Sequence, residues 1–245
     1  MALCFRSKNC RSPRPQQEPQ WSVWKKVLPH VCRITGALPV SSIVIGVDEV
    51  GRGCLAGPVC VGAVILPDPL PDWVADVRDS KKISAGKRKK LSDSIERDCR
   101  YAVREASPHL IDQMNILYAT LWAMSQAVDC LYRNYGSEIE EAVILVDGNK
   151  TIPTADVGGQ GWLSVPWKQV AVPGGDGLDK SIGAASILAK VYRDRYMSEY
   201  ADKQWPGYGF AQHVGYGTPQ HREAIKQLGP IEIHRKTFGG VREYV

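Results

Sequence analysis

Two adjacent acids, Asp48-Glu49, close an apolar run directly before Gly51-Arg52-Gly53, and another acid, Asp147, closes a second apolar run ahead of Gly148. Neighbouring side chains on a strand point to opposite faces, so consecutive acids are both solvated only where the strand has ended or opens onto a cleft. Carboxylates gathered at strand ends repel one another unless a divalent cation joins them. An all-oxygen donor set, with no His or Cys nearby, selects magnesium or manganese over zinc. Taken singly, each of these acids is equally an ordinary turn residue.

Between them in sequence lie six basic residues in ten: Lys81, Lys82, Lys87, Arg88, Lys89 and Lys90. Lys87–Lys90 read as a solvated helix face, whereas Ser80-Lys81-Lys82, ahead of a helix cap, are placed to grip a phosphate. Further on, Tyr208, Phe210 and Tyr216 are interleaved with glycines in the loop from Trp205 to Gly217. They read either as core plugs or as platforms for a sugar or base. His213, His221 and His234 match no metal-binding spacing and read as structural or surface residues. The run Gly174–Ser181 imitates the phosphate loop G-x-x-x-x-G-K-[ST], but Asp179 stands where the second glycine belongs. A Cβ and a negative charge there oppose close approach of backbone N–H groups to an anion, which argues against a nucleotide triphosphatase.

The elements that must position these residues follow from periodicity. Ile43–Glu49 and Val59–Leu66 are Val/Ile-rich runs of strand length whose separation predicts a hairpin, with further strands at Tyr101–Ala106, Ala142–Val146 and about Gln169–Val172. Ser84 caps a helix to about Arg97, and Ile116–Tyr132 has apolar residues at helical spacing. A long helix spans about Lys180 to Lys203, and Thr218 caps another to Leu228. Strands first, then strands alternating with helices, predict an α/β fold with a mixed sheet.

The chain has 245 residues, 44% hydrophobic and 23% charged, and its longest apolar runs are too short for a membrane span, which fits a globular domain. Its formal charge of +5 is unevenly spread. Residues 1–40 hold seven basic side chains against one acid, leaving 24 basic and 25 acidic for 41–245. Nucleic-acid binding by the body must therefore rest on local clusters. The proline-rich, polar 1–40 segment is expected to be a largely disordered extension before a single domain, 41–245. Its Arg-rich start is like an organellar transit segment but lacks a sustained amphipathic helix, and a dispensable extension or an over-long start is the plainer reading. Seven cysteines, with no C-x-x-C pair, predict reduced thiols and a cytoplasmic setting.

Taken in order, Gly46-Val-Asp48-Glu49-Val-Gly51-Arg52-Gly53-Cys-Leu-Ala-Gly57-Pro58, Asp79-Ser80-Lys81-Lys82-Ile-Ser84, Val146-Asp147-Gly148-Asn149, Ala184-Ala-Ser186-Ile-Leu-Ala-Lys190-Val-Tyr-Arg193-Asp194, and Gly207-Tyr208-Gly209-Phe210 leading to His213-Val-Gly215-Tyr216 closely resemble bacterial ribonuclease HII, the type 2 ribonuclease H. The likeness covers about Ile43 to Val241. It implies a ribonuclease H-like fold: a mixed central β-sheet flanked by helices, a C-terminal helical segment, and first and fourth strands adjacent so that Asp48 and Asp147 meet. It implies cleavage of the RNA strand of RNA/DNA hybrids, and incision of duplex DNA on the 5′ side of an embedded ribonucleotide to leave 3′-hydroxyl and 5′-phosphate ends, with a place in DNA replication and repair. The family's carboxylates map onto Asp48, Glu49, Asp147 and Asp176, holding two Mg2+ or Mn2+ ions, one activating the attacking water and one stabilising the leaving 3′-oxygen. Asp194 is a rival for the fourth place, better suited to holding an arginine.

The resemblance also makes the backbone of Gly51, Arg52 and Gly53 a reader of the ribonucleotide 2′-hydroxyl, and Tyr216 a ring stacking on the following sugar. Ser80, Lys81, Ser186 and Lys190 become phosphate contacts. The sequence departs from the family where its lysines are Gly174, Leu178 and Val214, and the loop 151–166 is longer. Three positive charges are thereby missing, and Lys180 is a candidate to replace one. A catalytically decayed, hybrid-binding protein of the same fold is the alternative; the retained acids argue against it. Nothing calls for a membrane or for more than a monomer.

Overall fold

Five strands form one mixed sheet in the order β3-β2-β1-β4-β5: β1 Ile43–Val50, β2 Val59–Ile65, β3 Arg100–Ala106, β4 Ala142–Asp147 and β5 Lys168–Val172. The computed structural model describes residues 43–245 except 79, 140, 155–161 and 166, and the side chain of Lys81 is also outside the description. The expectations for residues 1–40 fall outside the described residues. β1 and β2 are the expected antiparallel hairpin, and β3 extends it antiparallel to β2. β4 lies parallel to β1, with Val47 opposite Val146, and β5 lies parallel to β4. The first and fourth strands are thus neighbours.

The helices are α1 Ala85–Asp98, α2 Pro108–Met114, α3 Ile116–Tyr135, α4 Gly175–Leu178, α5 Lys180–Arg195, α6 Phe210–His213 and α7 Pro219–Leu228. Side chains supply the expected caps: Ser84 Oγ accepts from Lys87 N and Thr218 Oγ1 from His221 N. The long helix expected to run to Lys203 instead leaves α-geometry after Arg195. Tyr196–Ala201 is a π stretch before Asp202–Gln204 resumes α. Among the described residues no helix is long and apolar enough to cross a membrane.

Both sheet faces are covered. Ile45, Val47, Val59 and Val61 pack with Met124, Val128 and Leu131 of α3 on one side. On the other, Val64 meets Ile95 of α1 and Ala184, Ala185 and Leu188 of α5. Helix α5 lies directly on the strands because Gly46 and Gly62 present no side chain. A Cβ on Gly46 would run into the backbone of Ser181 and Ile182, and one on Gly62 into that of Ala185. A separate C-terminal core gathers Leu55, Met197, Ala201, Tyr208, Phe210, Ile225 and Val241.

Candidate active site

The ladder between β1 and β4 stops at Val47–Val146, whereas that between β1 and β2 continues to Val50–Cys60. At Asp48 the sheet therefore opens on the β4 side while its other flank stays paired. This is how two consecutive acids share one cleft without the strand ending. Ligand oxygens of Asp48, Glu49 and Asp147 all lie within 4.8 Å of one another.

Asp48 is only 4% exposed, and Glu49 and Asp147 are half-buried. Asp48 Oδ1 accepts the amide of Glu49 at 2.7 Å, and the hydroxyl of Ser186 also reaches this carboxylate. Burial, then Glu49, then Asp147 hold Asp48 well above the ordinary carboxylate range. Burial also raises Glu49, opposed by the Arg52 guanidinium 3.3 Å from Glu49 Oε1. Three carboxylates forced together at this cost, with no His or Cys among them, fit a hard divalent cation that relieves their repulsion.

Asp147 Oδ1 accepts the amide of Gly175 at 2.7 Å. Asp176 follows at once in the first turn of α4, half-buried beside the cleft, but it is not one of the three acids whose oxygens converge. Asp194 is engaged elsewhere, 2.8 Å from Lys190 Nζ and 3.6 Å from Arg88 Nη1. Asp179 caps α5 through the amides of Ser181 and Ile182, so its carboxylate occupies the position a phosphate would need.

The remaining expected contacts divide. Gly51 is buried at the mouth of the cleft, with Arg52 and Gly53 exposed. Ser80 is buried and its hydroxyl pairs with Ser186 Oγ at 2.9 Å, which makes these two a support for Asp48 rather than open phosphate ligands. Lys81 lies in the same 3-10 turn, Ser80–Lys82. Lys180 does not replace a missing charge at the cleft, because its ammonium donates to the carbonyl of Val77 at 2.6 Å.

Of the three glycine-spaced aromatics, Tyr208 and Phe210 are stacked core rings 5.5 Å apart, and only Tyr216, 39% exposed, faces solvent. Its ring lies 5.6 Å from Lys190 Nζ and 6.0 Å from the Arg193 guanidinium carbon. Its backbone bridges to Cys54 beside Gly53. Beneath it the histidines form a relay whose partners fix each tautomer. Ile231 N–H donates to His234 Nδ1, His234 Nε2–H to His221 Nε2, and His221 Nδ1–H to the carbonyl of Tyr216. Burial pushes both rings down to about 4, so they stay neutral. His213 likewise accepts the Gly215 amide and donates to Tyr208 O. These histidines are structural, as expected. The four described cysteines, Cys54, Cys60, Cys99 and Cys130, are buried, and none of them is in a disulfide.

Sequence reading missed Arg193 and Arg235, whose guanidinium groups are fully buried against the 51–58 loop. Arg193 carried a signal: it continues the buried stripe of Ile182, Ala185, Ser186 and Ala189 at helical spacing. Arg235 carried none.

Comparison with known proteins bears on this arrangement. The sequence profile of the family described as Ribonuclease HII matches residues 45–241. The Ribonuclease HII of Zymomonas mobilis is 43% identical over 224 residues, covering 90% of this chain and 94% of that protein. That of Geotalea uraniireducens is 47% identical over 201 residues, covering 82% and 84%. Among solved structures, the ribonuclease H2 of Pyrococcus horikoshii superposes with a TM-score of 0.60 at 29% identity, covering 82% of this chain and 96% of that one. An RNase HIII solved in complex with Mn2+, 18% identical with a TM-score of 0.61 and covering 83% and 69%, shares the fold.

Proposed function

Because the chain belongs to the ribonuclease HII family, and is thus a nuclease of the type 2 ribonuclease H class, we propose that it uses divalent cations held by Asp48, Glu49 and Asp147, with Asp176 alongside, to cut RNA/DNA hybrids and to incise duplex DNA 5′ to an embedded ribonucleotide. The observation that carries this reading is the convergence of three carboxylates within 4.8 Å at the open ends of β1 and β4. When bound, Mg2+ or Mn2+ supplies an activated water and charge stabilisation for the leaving 3′-oxygen. The protein's own groups then do the aiming. Ser186 and the Glu49 amide orient Asp48, and the Gly175 amide orients Asp147.

Substrate choice rests on the loop 51–53 meeting the ribose that carries the 2′-hydroxyl, the group that separates RNA from DNA. Tyr216 stacks on the next sugar, and Lys190, with its Nζ held beside that ring, meets a backbone phosphate. Such an activity fits removal of ribonucleotides from DNA.

The test is incision of a labelled DNA duplex carrying one ribonucleotide, beside an RNA/DNA hybrid and an all-DNA duplex, with Mg2+, Mn2+ or chelator. Cleavage 5′ to the ribonucleotide, absent with chelator and on plain DNA, is expected. Asp147→Asn should bind hybrid nearly as well as wild type and cut nothing. A wild type that binds hybrids but cuts none with either ion overturns the enzyme reading in favour of a binding protein.

A further inference from the structure

Arg193 and Arg235 are the largest fully buried side chains among the described residues, both 0% exposed. Neither forms a salt bridge with a carboxylate among the described residues; their acceptors are backbone carbonyls. Arg235 donates Nη2 to Gly51 O at 2.7 Å, Nη1 to Arg52 O at 2.8 Å and Nε to Gly57 O at 3.0 Å. Arg193 takes the other end of the loop, donating to Ala56 O and Pro58 O at 2.9 Å each and to Val214 O at 2.8 Å. Burial, and next the proximity of Arg193, bring Arg235 down to about 10, which leaves it charged at neutral pH. Burying two cations with no carboxylate in salt-bridge contact among the described residues is costly, and what these two secure is the orientation of a loop.

That orientation has a definite sense. In a planar trans peptide the C=O of one residue and the N–H of the next point in opposite directions. With Gly51 O and Arg52 O both drawn inward to Arg235, the N–H groups of Arg52 and Gly53 are turned outward. Both residues are exposed, and no hydrogen bond among the described residues engages either amide. The buried charge also polarises the two peptides and strengthens them as donors.

We propose that Arg235 is a positioning residue for ribose selection: it presents the Arg52 and Gly53 amides as a paired donor to the 2′-oxygen at the cleaved position, with Arg193 bracing the far end of the loop. This rests on the reading that the loop meets the ribonucleotide. Arg235 touches no substrate, and its effect passes wholly through the two peptides.

The test compares Arg235→Gln and Arg235→Lys in the full-length Asp147→Asn protein, the variant expected to bind without cutting. Affinity is measured for a duplex with one ribonucleotide and for its all-DNA counterpart. With Arg235 intact, the ribose duplex should bind about tenfold tighter, the contribution of roughly one good hydrogen bond to a polarised donor. Arg235→Gln should erase that preference while leaving all-DNA affinity unchanged, and Arg235→Lys should restore part of it. A general loss of structure would instead weaken both duplexes alike. A folded Arg235→Gln protein with the full ribose preference overturns the proposal. Should that variant not fold, the amide resonances of Arg52 and Gly53 in Asp147→Asn decide: shifts with the ribose duplex only support the proposal, and equal shifts with both duplexes overturn it. A wild type that does not cut hybrids removes the functional reading and this inference together, whereas one that cuts them while the ribose preference survives Arg235→Gln removes this inference alone.

Discussion

The Gly175 amide donates to Asp147 Oδ1 at 2.7 Å, so the acid that ends β4 is aimed by the residue immediately before Asp176. One short turn, α4, therefore sets two carboxylates. A Cβ at position 175 would crowd Ile182 Cδ1 and stand 3.3 Å from Asp147 Oδ1. Gly175→Ala should cut the hybrid about a hundredfold more slowly, the scale of a small misplacement of reacting groups. Steady-state cleavage read alongside a melting curve checks this, and an unchanged rate would show that the amide does not aim Asp147.

The raised carboxylates give a pH dependence with a definite sign. Between their ordinary values of 3.8 and 4.5 and the higher folded ones, Asp48 and Glu49 keep protons that the unfolded chain has lost. The folded state binds more protons there, so metal-free stability falls as pH rises through that window. Asp48→Asn keeps the acceptor for the Glu49 amide and removes the repelling charge. At pH 7 without metal it should melt higher by about 2–4 °C, equivalent to about 1 kcal/mol, and cut nothing. Added Mn2+ should raise the wild-type Tm more at pH 7 than at pH 4, and scanning calorimetry reads both effects.

Val214 is a β-branched residue in left-handed backbone, φ 44°, and its carbonyl accepts from Arg193, which also holds the 51–58 loop. Val214→Lys relieves part of a strain of about 1 kcal/mol and, on the proposed binding mode, adds a cation toward the duplex. Duplex binding should tighten, and the slope of log affinity against log salt should steepen by about 0.9, one further phosphate contact. An unaltered slope would place residue 214 away from the backbone.

Tyr216→Ala removes the ring beside Lys190 and leaves the histidine relay to the 216 carbonyl in place. Incision at a single ribonucleotide should fall about tenfold or more, the worth of one stacking platform, and hybrid cleavage should fall less. Equal losses on both substrates would mean that the ring does not read the junction.

Much of this was legible in sequence because it rests on side-chain type. Asp147 ends an apolar strand and Asp48 interrupts one two residues before its end, and an acid in either place is visible without a structure. The glycine-spaced aromatics of Gly207–Tyr216 read equally as core plugs or as stacking platforms, since Tyr208 and Phe210 differ from Tyr216 only in what packs over them. Ser80 looked like a phosphate ligand because a loop serine before a lysine pair has no visible partner; its partner, Ser186, lies 106 residues away. Arg235 was hidden for a deeper reason. Its acceptors are main-chain carbonyls, which every residue possesses, so no pattern of side chains points to them.

The π stretch Tyr196–Ala201 inserts an extra residue into the winding of the helix that begins as α5. One residue turns an α-helix by about 100°, so the segment beyond it is out of phase with the segment before it. Ser186, ahead of the change, faces Asp48, whereas Met197 and Ala201, within it, face the core beneath Tyr216. A single rod thereby serves two differently directed cores, and its winding acts as a gauge: deleting one residue from 196–201 would leave the acids in place and rotate the support of Tyr216 away from them.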